Sequence, residues 1–234
     1  MYFIGTDVGT TGTKTIIIDE NGKLCGKGYK EYELIAGKGG KVEQDAEDWW
    51  SAVVFSVNEA VKNINDKGNI VAMSLSTQGG TTLPVDKNFK PLSLAYTWMD
   101  ARAVKENADI RDKYGEKIYN TSGWRCDPSF DPPKMQWMAQ NEPDIFNNAA
   151  YFVSTVEYVN FKLTGRNASD PSNAAMRQLI NVSTCDWDDM LLEAAGLTRD
   201  RLPECLPTGA LVGTLTDEAA KELKIPSTVK VYNG

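Results

Sequence analysis

Histidine is absent from all 234 residues. That removes Ser-His-Asp and Cys-His nucleophile schemes, His-bearing metal sites and histidine general bases. Any chemistry must run on carboxylates, lysine and arginine, hydroxyls and a borrowed metal ion. Cysteine is scarce: Cys25, Cys126, Cys185 and Cys205 stand far apart and never form a Cys-x-x-Cys pair. Zinc-ligand spacing is therefore excluded, a disulfide framework is not expected at this length, and buried free thiols are expected instead. No apolar run approaches the ~20 residues that a membrane span needs, and no basic segment leads into an apolar one at the N-terminus. The expectation is a soluble, cytoplasmic chain, in which the Asn-x-Ser/Thr triplets at Asn120, Asn167 and Asn181 carry no glycosylation meaning. Blocks of Lys and Arg are missing too. With 25 basic against 32 acidic residues and a net charge of -7, neither nucleic acid nor an anionic membrane is the expected partner.

What is present is a composition for a real core, 41% hydrophobic and 24% charged. The opening stretch "YFIGTDVGTTGTKTIIID" (2–19) has strand composition at both ends and a Gly/Thr cluster in the middle. Asp7, Gly9, Thr10, Thr11, Gly12 and Lys14 admit two readings. One is a hairpin turn with an ordinary exposed lysine after it. The other is a phosphate-handling loop, in which glycines let the backbone approach an anion, threonines supply hydroxyls, and the Asp7 carboxylate holds a hydrated Mg²⁺. The P-loop spacing and the Gly-x-Gly-x-x-Gly fingerprint are both missing, so such a loop would grip phosphate between two strands rather than at a helix N-terminus.

Periodicity predicts strands at 2–7, 13–19 and 24–33, the second and third joined by the Asn21-Gly22 hairpin signal. A Gly-rich loop follows at 35–41. "DAEDWWSAVVFSVNEAVKNI" then reads as an amphipathic helix, with Asp45 as N-cap, Asp48 in the first turn, and Trp49, Val53, Val57, Ala60 and Ile64 at helical spacing. A buried strand is expected at 70–77 and another at 83–85. Helices are expected at 101–113, 115–120, 133–141, 154–163, 187–195 and 216–223, with short strands at 151–153 and in the final "TVKVYNG". The β-β-β-α-β order is α/β without the strict alternation of a Rossmann fold. One domain with a helical insertion or annex is the economical organisation.

"GTDVGTTGTK" resembles the phosphate-1 loop of the actin, Hsp70 and sugar-kinase superfamily. More narrowly, the chain resembles the N-terminal domain of FGGY-family carbohydrate kinases, with xylulose kinases as the nearest branch. Four further stretches carry the resemblance in the family's order: "VEQDAEDWW" (42–50), "STQGGTT" (76–82), "YTWMDAR" (96–102) and "PPKMQWMAQNEPDIF" (132–146). The resemblance implies an RNase H-like mixed sheet with a helical insertion. It implies a kinase using ATP and Mg²⁺ to phosphorylate a hydroxyl of a ketose such as xylulose, or of a related pentulose, hexulose or polyol. It further implies that residues 1–234 are the N-terminal domain, carrying the phosphate-1 loop and the sugar-binding half. The C-terminal ATP-binding domain, with an aspartate base shortly after Gly234, then lies outside this chain, and the piece alone is expected to bind sugar weakly and turn over negligibly. A homodimer is common among relatives.

Within that resemblance Asp7 is the metal and phosphate-positioning residue. Gly9, Thr10, Thr11, Gly12 and Lys14 face the nucleotide phosphates, and Gln78, Gly79, Asp100, Arg102 and Asp170 face the sugar. Polyols need several convergent hydrogen bonds, which Gln, Asp and Arg supply. Each of the last three has a competing role: Asp100 and Asp170 as helix N-caps, Arg102 in a surface ion pair. Trp98 either stacks on a sugar face or packs in the core, and Trp49, Trp50, Trp124, Trp137 and Trp187 are expected in packing. Xylulose kinases carry Met-His where this chain has Gly79-Gly80, and glycerol kinases carry Arg-Glu, so the glycine pair is expected to leave space in the sugar pocket. Asp131 also departs from the Ser, Thr or Pro usual in the signature helix. Three other classes share features: an RNase H-type nuclease, which would want a basic groove; an actin- or Hsp70-like ATPase, which has no use for the Gln and Trp-x-Asp-x-Arg segments; and a non-catalytic sugar-binding module.

Overall fold

The opening hydrophobic pattern forms an antiparallel meander, β1 (Tyr2–Val8), β2 (Gly12–Asp19) and β3 (Leu24–Glu31), in the computed structural model, which describes residues 1–234. The second turn falls at Asn21-Gly22, with Gly22 at φ +77°, the left-handed conformation that a tight hairpin requires. The other edge of β1 pairs in parallel with β4 (Ile70–Thr77). Two late strands, β5 (Leu211–Thr214) and β6 (Lys230–Tyr232), complete the sheet, β6 running parallel to β4. The order is β5-β6-β4-β1-β2-β3. Strands β1, β4 and β6 thus share a direction, and their carboxyl ends open on one rim, the edge where α/β sheets bind ligands.

Helix α1 (Ala46–Ala60) packs on β2 and β3. Asp45 caps it by accepting the Glu47 N–H at 2.9 Å. Its buried face carries Trp49, Val53 and Val57, each side chain worth about 1.5–3 kcal/mol of transfer free energy. The approach is close because β3 contributes glycines: a Cβ on Gly26 would lie 2.0 Å from the Ala60 carbonyl oxygen, and one on Gly28 2.0 Å from that of Ser56. The main core of 31 buried residues lies between the sheet and its helices.

The remaining helices are α2 (Val104–Ser122), α3 (Asp131–Asn141), α4 (Pro143–Asn148), α5 (Thr155–Thr164), α6 (Pro171–Met176), α7 (Asp189–Ala195) and α8 (Asp217–Leu223). Helices α5 and α8 pack with α1. Helices α2, α3 and α7 pack on one another as an annex with a separate core of 13 residues around Tyr96, Met135, Phe152 and Trp187, plus a small cluster of Ile110, Ile118, Leu191 and Ala194. Within the annex, an ion pair with no exposed surface ties the end of α6 to the start of α3, Arg177 Nε to Asp131 Oδ2 at 2.7 Å, and Thr82 Oγ1, in the loop after β4, donates to Asp131 Oδ1 at 2.8 Å.

Several expectations change. The segments 101–113 and 115–120 are one helix, α2, running through Gly115, whose cost in a helix interior is only ~1 kcal/mol. The helix start expected at Asp100 falls at Val104, with Ala103 in the cap position. Helices α4 and α6 are too short for periodicity to reveal. The Gly-rich loop holds a two-residue strand, Ile35–Ala36, paired with Val42–Gln44. Strand 83–85 stands outside the central sheet and pairs with Tyr151–Val153. The thiols of Cys25, Cys126 and Cys205 are half-buried and Cys185 is exposed, none of them in a disulfide. Trp98 and Trp124 are exposed rather than packed inside. No helix is long and apolar enough to cross a membrane.

Candidate active site

The rim at the carboxyl ends of β1 and β4 holds a cavity of about 760 Å³. Strand alternation decides who faces it. Thr6 and Val8 point into the core, so Asp7 between them points out; Leu75 is buried, so Ser76 is not. Asp7 stands directly across from Lys14 in the β1–β2 ladder, and both line the cavity. Asp7 is the one carboxylate in that lining.

The Gly9–Gly12 loop is held from behind. Gly9 N–H donates to Gly12 O at 3.0 Å, and Tyr32 hydroxyl donates to Gly9 O at 2.5 Å. Burial pushes the Tyr32 hydroxyl up to about 12, and the Asp7 charge adds to the rise. Gln44 Nε2 donates to Thr10 O at 2.7 Å and Trp98 Nε1 donates to Thr10 Oγ1 at 3.1 Å. A Cβ on Gly12 would meet Lys30 O at 2.8 Å, so only glycine sits there undisturbed. The N–H groups of Thr10 and Thr11 donate to no protein acceptor. Two free amides, an ammonium and a single carboxylate beside a cavity fit a phosphate chain with a hydrated magnesium ion, which takes one or two carboxylates and keeps its waters. Gly9, Thr10, Thr11 and Gly12 lie beside the cavity rather than in its lining.

Gln78 follows β4, and its backbone N–H donates to Val8 O at 2.8 Å, which ties the two loops together. Its side chain is buried. Nε2 donates to Gln44 Oε1 at 2.7 Å, the same oxygen that accepts Trp49 Nε1 at 3.2 Å, and Gln78 Oε1 has no partner. Gln44 thus links the loop after β1 to the loop after β4. Sequence reasoning passed over it, although it stands inside the quoted "VEQDAEDWW".

Asp100 and Arg102 are not brought to the cavity. Asp100 is fully buried: Oδ2 accepts Val42 N–H at 2.8 Å and Arg102 Nη2 at 2.7 Å, and Oδ1 accepts Arg102 Nε at 2.9 Å. Arg102 also reaches Glu43 Oε1 at 2.5 Å and lies 3.7 Å over the Tyr96 ring. Burial would lower the Arg102 pKa, but the Asp100 and Glu43 carboxylates outweigh it and raise it. The pair is an internal strut, neither a helix cap nor a surface ion pair.

Asp170 is likewise buried and caps α6. Its Oδ1 accepts Ser172 N–H at 2.8 Å, Ser172 Oγ at 2.5 Å and Asn173 N–H at 3.0 Å, and Oδ2 accepts Asn173 Nδ2 at 2.6 Å. What reaches the cavity is the pair that it orders, Ser172 and Asn173, together with Met176 and Thr77. Gly79 lines the cavity, but the space expected at Gly79-Gly80 is filled. A Cβ on Gly79 would lie 2.9 Å from Met176 Cβ and Cγ, and one on Gly80 3.2 Å from Trp98 Cβ. Behind this loop lies Lys134, whose ammonium donates to Thr97 O and Gly80 O.

Comparison with known proteins bears on the chain as a whole. The model of the N-terminal domain of the FGGY family of carbohydrate kinases matches residues 2–234. The chain is 30% identical over 235 residues to a xylulose kinase of Bacillus subtilis, covering 100% of this chain and 47% of that one. It is 30% identical over 217 residues to a glycerol kinase of Thermococcus gammatolerans, covering 91% and 44%. A crystal structure of a gluconate kinase from Lactobacillus acidophilus superposes with a TM-score of 0.93 at 29% identity, covering 99% of this chain and 47% of that one. The chain therefore spans about half the length of the relatives that it matches.

Proposed function

This chain belongs to the FGGY family of carbohydrate kinases, and on that premise we propose that the whole protein transfers the terminal phosphoryl group of ATP to a hydroxyl of a small sugar or polyol, a ketose such as xylulose being the first candidate. The observation that carries this is the single cavity in which Asp7 and Lys14 share a space with Thr77, Gly79 and Asn173. Phosphoryl donor and acceptor have to meet in one place, and here a cation-holding carboxylate and a row of hydrogen-bonding groups do so.

Bound Mg-ATP supplies the phosphoryl group and neutralises its charge. This chain's residues position it. The Asp7 carboxylate holds the hydrated cation, the Thr10 and Thr11 amides and the Lys14 ammonium face phosphate oxygens, and Gln44 keeps that loop in register with Gln78. Thr77 and Asn173 face the acceptor, their side chains joined by a 3.2 Å hydrogen bond. Asp7 is committed to the cation, so the acceptor's proton goes to another carboxylate. We assign that base, and the adenine half of the site, to a second domain following Gly234. The 234 residues alone then bind acceptor weakly and turn over negligibly.

The test is ADP release by the full-length protein with Mg-ATP against pentuloses, hexuloses and polyols. Turnover that requires one acceptor and falls about 100-fold or more in Asp7→Ala is the expected result. Steady hydrolysis independent of every acceptor would replace the kinase by an ATPase.

A further inference from the structure

We propose that Met176 sets which acceptors this site admits; the inference rests on the kinase reading above. Gly79 has no side chain and its φ lies outside the left-handed region, so its backbone would accept one. The volume is taken from the opposite wall: an added Cβ would come 2.9 Å from both Cβ and Cγ of Met176 and 3.5 Å from its Cε. The loop after β4 has given up a side chain, and helix α6 supplies one in its place.

Met176 is held firmly for a residue that is 37% exposed. It ends the helix whose first turn is locked by the buried Asp170 cap. The next residue, Arg177, is fully buried in its pair with Asp131. Between these anchors the backbone has little freedom, while the unbranched thioether lies along the cavity beside Gly79, Thr77 and Asn173. The resulting wall is apolar on the Met176 side and hydrogen-bonding on the Thr77 and Asn173 side. An acyclic polyhydroxylated chain fits that division, with its C–H edge against the thioether and its hydroxyls toward the polar groups. The length of chain that fits is set by how far the methionine reaches.

Removing the side chain beyond Cβ relaxes that limit. A methylene in such a pocket changes discrimination by roughly 10- to 200-fold. In the full-length protein with Mg-ATP, kcat/KM is measured for glycerol, D-xylulose, D-fructose and D-sedoheptulose. Met176→Ala is expected to raise the ratio for the longer over the shorter acceptors by about tenfold or more, carried in KM. Met176→Leu, of similar volume, keeps the wild-type ratios, and Gly79→Met/Met176→Ala, which rebuilds the wall from the other side, returns them. Gly79→Ala, whose methyl pushes against Met176, moves the ratio the opposite way and provides a second variant independent of the first. Ratios unchanged in Met176→Ala, or all four acceptors falling by one common factor, overturn the assignment while leaving the kinase reading intact. A wild-type protein that phosphorylates none of the four while hydrolysing ATP overturns the kinase reading and this inference with it.

Discussion

The Lys134 ammonium, fully enclosed by protein, lies 2.7 Å from the carbonyl oxygen of Thr97 and 3.2 Å from that of Gly80. One buried cation thereby braces the segment leading to Trp98 and the loop that borders the cavity at Gly79. Two neutral carbonyls do not compensate a buried charge fully. Burial pulls the Lys134 pKa down to about 8, with Asp131 and Asp100 opposing the fall and Arg102 adding to it.

The sign of the pH dependence follows. In the unfolded chain a lysine titrates near 10.4. Between pH 8 and about 10.4 the unfolded state keeps a proton that the folded state has released, so this group's contribution to stability rises with pH across that window. Below pH 8 both states are protonated and the burial cost is carried in full. Urea denaturation of wild type and Lys134→Met at pH 7.5 and 10.5 is expected to show the difference moving in favour of wild type by about 3 kcal/mol, since tyrosines and cysteines titrate in both. Parallel pH profiles for the two proteins would dismiss the account.

Asp170 offers a cleaner separation of two roles. As a cap it is replaceable by Asn, which also accepts N–H bonds at a helix N-terminus, but not by Ala. Asp170→Ala is expected to cost about 1–2 kcal/mol and to raise acceptor KM by loosening Asn173. Asp170→Asn keeps the cap bonds and most of the stability. Its acceptor KM falls between those of wild type and Asp170→Ala, because its amide nitrogen faces Asn173 Nδ2 where a carboxylate oxygen accepted it. If the carboxylate itself held the sugar, both variants would lose affinity equally, and comparing the two KM values decides the matter.

Gly28 tests the seating of α1. A methyl there would stand 2.0 Å from the Ser56 carbonyl oxygen, a backbone atom that moves only if the helix moves. Gly28→Ala is expected to destabilise by about 3 kcal/mol or more, at the upper end of overpacking penalties. Gly22→Ala, with nothing within 4 Å of the added atom but φ at +77°, should cost only about 1 kcal/mol. Chemical denaturation of both variants gives the comparison, and equal losses would mean that α1 is not seated on these glycines.

Much of this was legible in the chain itself, wherever the determining interaction is local. The alternation of Tyr2–Val8 names Asp7 as outward-facing whatever β1 pairs with. Asp45 caps α1 through a bond to Glu47, two positions on, and Asn21-Gly22 turns its hairpin with help only from the adjacent Asp19, whose carboxylate accepts the Asn21 and Lys23 N–H groups. The resemblance of the quoted segments carried the family, and with it the sheet. The fate of a polar side chain with a distant partner was not legible. Asp100 is withdrawn from the cavity by an N–H at Val42, 58 positions away. Gln44 becomes a junction only when Thr10, Trp49 and Gln78 converge on it. Whether Gly79 leaves a hole or a filled wall depends on Met176, nearly a hundred residues later, because space in a packed interior belongs to whichever segment the fold delivers to it. Period and capping, being local, are written in the sequence. Which side chains face the cavity and which neutralise one another inside was decided by tertiary structure, since burial makes every unpartnered polar group costly and the partners come from across the fold.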